Sequence, residues 1–307
     1  ATFAVYLKTL CPTLCVGDAG ELIAASYNLG IAHPPGYPLY CMMGKLFSLI
    51  PAGDVAYRYN LMSAVFASLS AGLLYIVALR RLSRSSIPVP AAHVASACAA
   101  LVFAFSRTFW GSAVQTEVYT LHVFLLLMSL LSIDLFLENP GRRLFLLCCF
   151  LFGISISNHH TSLVLLPVLA FAWHSARRSG FKMQVDGWAK AAGLLALGLA
   201  AYLYLPIRAG SGTPMNWGNP SDLQGLLTHL TRKQYGAGWL GVRGFGEFAR
   251  QSGIFFGFLK GQAPFIVFAF SAAGLLLILR KSRFWSFTTI LLFAINGCFL
   301  AVILGLK

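Results

Sequence analysis

Long apolar runs recur along the chain, and they constrain its fold more than any other feature. Several approach about 20 residues, the length that an α-helix needs to cross the hydrocarbon core of a bilayer. Only 10% of the 307 residues are charged, whereas a soluble domain has about 25%. The sequence therefore predicts an all-α integral membrane protein with many spans.

The apolar pattern predicts about nine transmembrane helices, of which the first, in residues 1–10, is incomplete. The other predicted spans are 58–80, 90–106, 114–137, 143–157, 159–175, 188–208, 261–280 and 284–305. Two long segments, 11–57 and 209–260, would form large loops. We expect one domain over residues 1–307, and the sequence leaves open whether both chain ends are trimmed.

Basic residues follow every second predicted span, and they predict the orientation of the chain. Lys and Arg are enriched in cytoplasmic loops, so both large loops should lie on the opposite face with 107–113 and 157–160. The same bias explains the net charge of +14 without a nucleic-acid partner. The expected location is the bacterial inner membrane with a periplasm-facing site, or the endoplasmic reticulum membrane in a eukaryote.

Two acidic residues, Asp18 and Glu21, begin a short predicted helix over 19–29 that Gly30 would stop. Their spacing favours a capping box, in which each side chain bonds a free backbone N–H. The functional alternative is a general base that takes a proton from an acceptor hydroxyl. Both interpretations hold together if Asp18 is the base and Glu21 organises it.

A proline-rich turn follows His33 and contains Tyr37. Prolines fix φ and remove backbone donors, so this turn would hold its neighbours in place. His33 could donate a hydrogen bond or carry a proton, and a purely structural role is equally open. A second, interfacial helix is predicted over 37–50.

Polar residues also flank the predicted spans in the middle of the chain. Asn158, His159 and His160 form a turn where they could bind sugar or phosphate. Neighbouring helical histidines diverge by about 100°, so one metal rarely binds both. A metal shared by His33, Glu117 and one of the two histidines is the weaker alternative, because no ligand spacing supports it; no metal is predicted. Glu117 begins a span, where the helix dipole alone favours a carboxylate.

The second large loop supplies aromatic and basic candidates. Arg208, Asn216 and Trp217 lie in a turn-rich segment, and Trp217 could stack on a sugar ring. A helix is predicted from 219–220 to about 235, with a stop at 236.

That helix would carry His229, Arg232 and Lys233 on and beside its polar side. Basic residues here suit an anionic head group, and general attraction to lipid is the alternative. Arg58 is a further phosphate candidate, unless it only snorkels.

Cysteines do not indicate a compartment. Cys11 and Cys15 in the first loop could pair, but small apolar filler is the favoured interpretation.

The segment GDAGELIAASYNLGIAHPPGYPLY resembles the signature of a membrane protein family, long labelled a domain of unknown function, whose animal member is an endoplasmic-reticulum protein O-mannosyltransferase. Further similar segments are AYRYNLMSA, QTEVYTLHVF, SNHHTSLVLLP, YLPIRAGSGTPMNWGNP and HLTRKQYG. The chain departs from many members at Ala19, where they have Ser, and at Asn219, where they have Asp. By this resemblance the 307 residues are fewer than usual, and we expect them not to include the soluble C-terminal region that many members carry.

The resemblance implies a GT-C glycosyltransferase, a multi-span enzyme with its catalytic aspartate in the first exoplasmic loop. Asp18 would be the base, with Glu21 beside it. The implied reaction is inverting transfer of a hexose, with mannose expected, from a polyprenyl or dolichyl monophosphate to a hydroxyl of a protein or glycan. Membrane lipids would be the other partners, and no cofactor is expected.

Two other classes remain open at this stage. A lipid or lipid-linked-sugar transporter or flippase would bind near the midplane, at broken helices or intramembrane charges. The sequence shows no pair of broken helices, and Asp134 is its only acidic residue well inside a predicted span. A non-catalytic scaffold would tolerate Asp18→Asn.

Overall fold

The computed structural model describes residues 1–85, 87–235, 245–262 and 264–295. Regular structure in these ranges is helical, and the only extended pairing there is an isolated parallel bridge between Ile31 and Asn216. Two predicted features, the helix stop at 236 and the end of the last span, lie outside the described residues.

Fifteen α-helices, α1 to α15, follow one another along the described chain. In order they are Thr2–Lys8, Ala19–Tyr27, Pro38–Ser48, Val55–Leu82, Val89–Ala104, Arg107–Ala113, Tyr119–Glu138, Arg142–Asn158, Leu165–Arg178, Val185–Leu199, Tyr204–Ala209, Leu223–Leu230, Phe245–Lys260, Phe265–Lys281 and Arg283–Leu292. Short 3-10 helices occupy His160–Val164, Ala200–Leu203 and Lys233–Tyr235.

The described helices show an integral membrane protein with fewer spans than the sequence predicts. Three stretches are long and apolar enough to cross a bilayer: α4, α7 and the run Val185–Ala209. Two bent pairs, α5 with α6 and α13 with α14, raise the number to five if each pair is one span. The predicted nine spans are not confirmed, because α8 and α9 have only 17 and 14 residues.

The bent pairs also correct the expectation that no helices are broken. The axes of α5 and α6 differ by 69°, and those of α13 and α14 by 109°. Ser106 has an extended backbone between α5 and α6. Pro264 precedes α14 with ψ of 147°, and its ring cannot donate the N–H that would continue a helix.

Side-by-side packing of α4, α7, α8 and α10 builds the centre of the protein. Leu130, Ile133 and Phe136 of α7 belong to its buried apolar cluster. The contact between α8 and α10 depends on glycine, because a Cβ at Gly198 would lie 2.6 Å from the carbonyl oxygen of Phe150. The backbones of these helices therefore approach more closely than larger residues would allow.

Ion pairs join α4 and α7 at one end of the bundle. Asp134 on α7 is fully buried, and its carboxylate lies 2.7 Å from Arg81 and 3.3 Å from Arg80 at the end of α4. Glu138 pairs with Arg80 and Arg84. A buried carboxylate without such partners would be costly. The two helix ends thus share one side of the bundle, as the basic pattern predicts.

The first loop is fastened to the opposite end of α4. Asn60 donates from Nδ2 to the carbonyl oxygens of Cys11 and Thr13, at 2.8 and 2.9 Å. Its Oδ1 accepts a hydrogen bond of 2.7 Å from Thr116, just before α7. Cys11 forms a disulfide with Cys15, which corrects the interpretation of both as unpaired filler.

Helix ends in the two loops differ partly from prediction. Helix α3 agrees with the predicted 37–50, and α2 ends at Tyr27, two residues early. Helix α12 begins after Asp222, whose Oδ1 accepts from the N–H of Gly225 at 2.6 Å. The start predicted at 219–220 was wrong because this side-chain cap lies further along the chain. A left-handed Arg232, with φ of 58°, then interrupts the predicted helix before 235.

Candidate active site

Asp18 and Glu21 do not form the capping box that their spacing favours. Asp18 stands at the N-cap of α2 with helical φ and ψ, and its side chain makes no cap hydrogen bond. Glu21 instead contacts His33: Oε1 accepts from the backbone N–H at 2.7 Å, and Oε2 lies 2.5 Å from Nδ1. Asp18 is exposed, and its carboxylate forms no hydrogen bond or ion pair with any described residue.

The turn after His33 depends on one glycine. Gly36 has φ of 91°, and a Cβ there would lie 2.7 Å from Leu205 and 3.0 Å from Nε2 of His229. A larger residue would therefore be strained and crowded at once. The next residue, Tyr37, is buried beside the ring of His33, with centroids 5.2 Å apart.

The two large loops meet along a short extended contact. The N–H of Ile31 donates to Met215 at 2.7 Å, and the N–H of Trp217 donates back to Ile31 at 3.3 Å. This contact sets the Trp217 ring 6.3 Å from that of His33. Trp217 is 42% exposed, so its ring is available to a ligand beside His33.

Aromatic rings and histidines form one wall of the site. Tyr37 stacks on His159 with centroids 6.0 Å apart, and His159 lies 5.9 Å from Tyr119 and 4.9 Å from His122. The segment 158–160 reaches this wall because His159 has an extended backbone, which ends α8. The prediction that a helical span begins at 159 was therefore wrong; a 3-10 turn precedes α9.

A second carboxylate, Glu117, faces the same region. Burial above all, and then the negative charge of Asp18, raise the pKa of Glu117 to about 7, while the nearby His33 opposes the rise. Glu117 therefore exchanges a proton near neutral pH. This electrostatic coupling places the two carboxylates in one site although they are far apart in the chain.

Arg232 brings positive charge to the site. Its guanidinium lies 5.3 Å from the ring centroid of Tyr235. Burial first, and then the charge of Arg232, lower the pKa of His160 to about 4. The pKa of His159 is lowered well below its usual value by burial, with smaller contributions from His122, His160 and Arg232. Both histidines are thus neutral at pH 7, which leaves Arg232 as a fixed cation beside them.

Two of the predicted site arginines, Arg58 and Arg208, have structural partners. Arg58 donates to the carbonyl oxygens of Ser48, Ala52 and Gly53, at 2.7, 3.1 and 3.2 Å, and so holds the chain after α3. Arg208 donates to the carbonyl oxygen of Leu29 at 2.5 Å. Both guanidinium groups therefore bind backbone carbonyl oxygens.

The remaining predicted residues sit at the margins. Lys233 is exposed and forms no ion pair with a described residue. The amide of Asn216 donates to Ala209 and Asn219, which stabilises the second loop. Asn158 is buried, and neither side-chain polar atom has a hydrogen-bond partner among the described residues.

Sequence reasoning missed His122, Tyr119 and His229 as site residues. His122 lies on a span, where Nε2 is 3.0 Å from the hydroxyl of Thr161. His229 is fully buried, and burial lowers its pKa to about 4. Helical spacing puts His229 off the leucine stripe of α12, so the residue was assigned to the polar side and its burial was not predicted.

Metal binding gains no support from the described residues. No group of three or more His, Cys, Asp and Glu side chains there is arranged to hold an ion. The functional groups that the described residues bring to this site are carboxylates, imidazoles, aromatic rings and a guanidinium.

Apolar helices of sufficient length to cross a bilayer define the class of this protein, an integral membrane protein. Residues 18–180 match the family described as Protein O-mannosyl-transferase TMEM260 N-terminal domain. The chain belongs to this family of O-mannosyltransferases, as its sequence motifs indicate.

Two relatives carry the same name, Protein O-mannosyl-transferase TMEM260. The mouse protein is 33% identical over 240 residues, which cover 76% of this chain and 33% of the mouse protein. The protein of Dictyostelium discoideum is 28% identical over 316 aligned positions, covering 94% of this chain and 37% of its own. The chain thus spans about a third of the length of these relatives. No solved structure matches it.

Proposed function

We propose that this chain is the membrane-embedded catalytic part of an inverting, GT-C-type glycosyltransferase. It would move mannose from a polyprenyl or dolichyl monophosphate to a hydroxyl group of a protein. The observation that carries the proposal is a polar cluster at one end of apolar helices, in which the charge of the exposed Asp18 acts on Glu117 and that of Arg232 acts on His159 and His160. Both carboxylates lie within the 18–180 match to a family named for O-mannosyl transfer.

In the proposed reaction, Asp18 removes the proton of the acceptor hydroxyl. The acceptor oxygen forms a bond to the anomeric carbon, on the face opposite the phosphate. The bond between that carbon and the phosphate oxygen breaks at the same time, and the lipid phosphate leaves with the electron pair. Asp18 suits the role of base because no described residue occupies its carboxylate.

Arg232 would stabilise the negative charge that develops on the leaving phosphate, and the exposed Lys233 next to it would attract the lipid phosphate. Trp217 would stack on the sugar ring. Tyr37, His159 and His160 would form the wall against which the sugar phosphate rests. Because Arg232 supplies positive charge, this scheme requires no metal.

The site would face the periplasm in a bacterium or the lumen of the endoplasmic reticulum in a eukaryote, with a multi-pass chain around it. Two features support this orientation. The basic end of α4, which pairs with acidic residues of α7, lies opposite the first loop, and the first loop contains the Cys11–Cys15 disulfide. Disulfides persist in oxidising compartments outside the cytosol. The lipid tail of the donor would lie among the apolar helices.

A flippase for lipid-linked sugars is the second candidate, and the bent helix pairs are the observation that favours it. Broken helices often form the binding sites of transporters. Against it, Asp134 pairs with arginines at the end remote from the first loop, so it offers no free charge for transport.

One reconstitution experiment distinguishes the candidates. The purified chain is placed in liposomes with radiolabelled polyprenyl-phosphate mannose and a mixture of acceptor proteins. Label that appears on protein, with an anomeric configuration opposite to that of the donor, supports the proposal. Donor that crosses the bilayer without transfer supports the flippase. Asp186→Asn is the control for substitution of an acidic residue outside the proposed site, because Asp186 is exposed and pairs only with Arg142 and Lys190 among the described residues. This variant should transfer label as the native protein does.

A further inference from the structure

The contact between Glu21 and His33 determines which nitrogen of the imidazole carries hydrogen. A carboxylate only accepts hydrogen bonds, and both oxygens of Glu21 face His33: one accepts from the backbone N–H at 2.7 Å, the other lies 2.5 Å from Nδ1. The Nδ1 atom must therefore be the donor. In the neutral ring this leaves Nε2 with a free lone pair.

Nε2 of His33 has no hydrogen-bond partner among the described residues, although the side chain is only 15% exposed. The imidazole lies between two aromatic side chains in edge-on contacts, with Tyr37 at 5.2 Å and Trp217 at 6.3 Å. Of these rings, Tyr37 is buried and Trp217 is exposed. A hydrogen-bond acceptor next to an exposed indole suits a ligand with an apolar face and hydroxyl groups at its edge, as a sugar ring has.

We propose that Glu21 is a positioning residue that holds His33 in the Nδ1–H form, so that Nε2 accepts a hydrogen bond from a hydroxyl group of the transferred sugar. The sugar ring would lie against Trp217. This inference rests on the proposed function, since it takes the sugar of the lipid-linked donor as the ligand. It assigns His33 to sugar recognition and leaves removal of the acceptor proton to Asp18.

The substitution Glu21→Gln tests the inference because an amide offers only one acceptor oxygen. If that oxygen keeps the backbone N–H of His33, the amide NH₂ faces Nδ1 and donates to it. Nδ1 must then accept this hydrogen bond with its lone pair, so the ring hydrogen moves to Nε2. The substitution is nearly the same size and removes no packing, yet it exchanges the roles of the two ring nitrogens.

Nitrogen NMR of the histidine-labelled protein reads the tautomer directly, and the signals of His33 are those lost in His33→Asn. We expect an unprotonated Nε2 in the native protein at a pH where the ring is neutral, and a protonated one in Glu21→Gln. We also expect the KM for the donor to rise about tenfold in Glu21→Gln, with a smaller change in kcat. Glu247→Gln in α13, where the carboxylate pairs with Arg250, is the matched control and should change neither.

A native His33 with hydrogen on Nε2 would overturn the inference, as would a Glu21→Gln protein with native nitrogen shifts and native KM. Failure of the proposed function gives a different result. If the native protein transfers no mannose, titration with lipid-linked mannose still tests the contact: a shift of the Nε2 signal supports the sugar contact, and an unchanged signal refutes it.

Discussion

Glu117 adds a pH-dependent contribution to the stability of the protein, and one substitution should remove that contribution. Burial and the charge of Asp18 raise its pKa from 4.5 to about 7. Between these values Glu117 binds more protons in the folded protein than in the unfolded chain, so its contribution to the free energy of unfolding falls as pH rises. The buried His159, His160 and His229 contribute with the opposite sign, and they do so equally in the native protein and in a Glu117 variant. The full difference would be about 3 kcal/mol at 1.36 kcal/mol per pH unit. Glu117 is partly exposed, and solvent screening reduces this to roughly 1–2 kcal/mol.

The assay is thermal unfolding of the detergent-solubilised protein between pH 4.5 and pH 8. Glu117→Gln should unfold at a higher temperature than the native protein at pH 8, by on the order of 4 °C, and the two should converge near pH 4.5. Asp18→Asn should give part of the same gain, because it removes the second cause of the raised pKa. If the unfolding temperature of Glu117→Gln varied with pH as steeply as that of the native protein, the reasoning would be refuted.

Two further substitutions test the packing and the role of one arginine. Gly198→Ala should lower the free energy of unfolding by about 1–3 kcal/mol, because its Cβ would meet the α8 backbone; Gly193→Ala, with open space on the same helix, should not. Arg58→Ala should lower the unfolding temperature but leave the donor KM unchanged, since its guanidinium binds backbone carbonyls. If Arg58→Ala instead raised the KM for the donor and left the stability unchanged, Arg58 would be a phosphate ligand.

Local patterns in the sequence predicted the helices well where the signal lies within a few residues. The apolar runs at α4 and α7, and the proline turn before α3, appear close to their predicted positions. The start of α12 was missed because two capping signals, at 219–220 and at Asp222, compete in one short segment, and the Asp222 side chain prevails.

The candidate site was harder to predict because its contacts join distant segments. Spacing favoured a capping box for Glu21, but His33, twelve residues away, binds both carboxylate oxygens. Arg58 binds backbone carbonyl oxygens at the end of α3 and in the turn that follows. The sequence does not reveal these partners, and for that reason Arg58 was assigned to phosphate. His122 resembled an ordinary span residue until the chain brought it against His159. Such pairings depend on the tertiary fold, which periodicity does not reveal.

The central claim is that Asp18 removes the acceptor proton during transfer of mannose. The most direct measurement is the initial rate of mannose transfer from a lipid-linked donor by purified native protein, Asp18→Asn and Glu117→Gln, each shown to be folded by its melting curve. The account predicts that Asp18→Asn lowers kcat by about 10²-fold or more, as expected for loss of a general base, and that Glu117→Gln lowers it less. Full activity of Asp18→Asn with loss in Glu117→Gln would move the base to Glu117 and contradict the account.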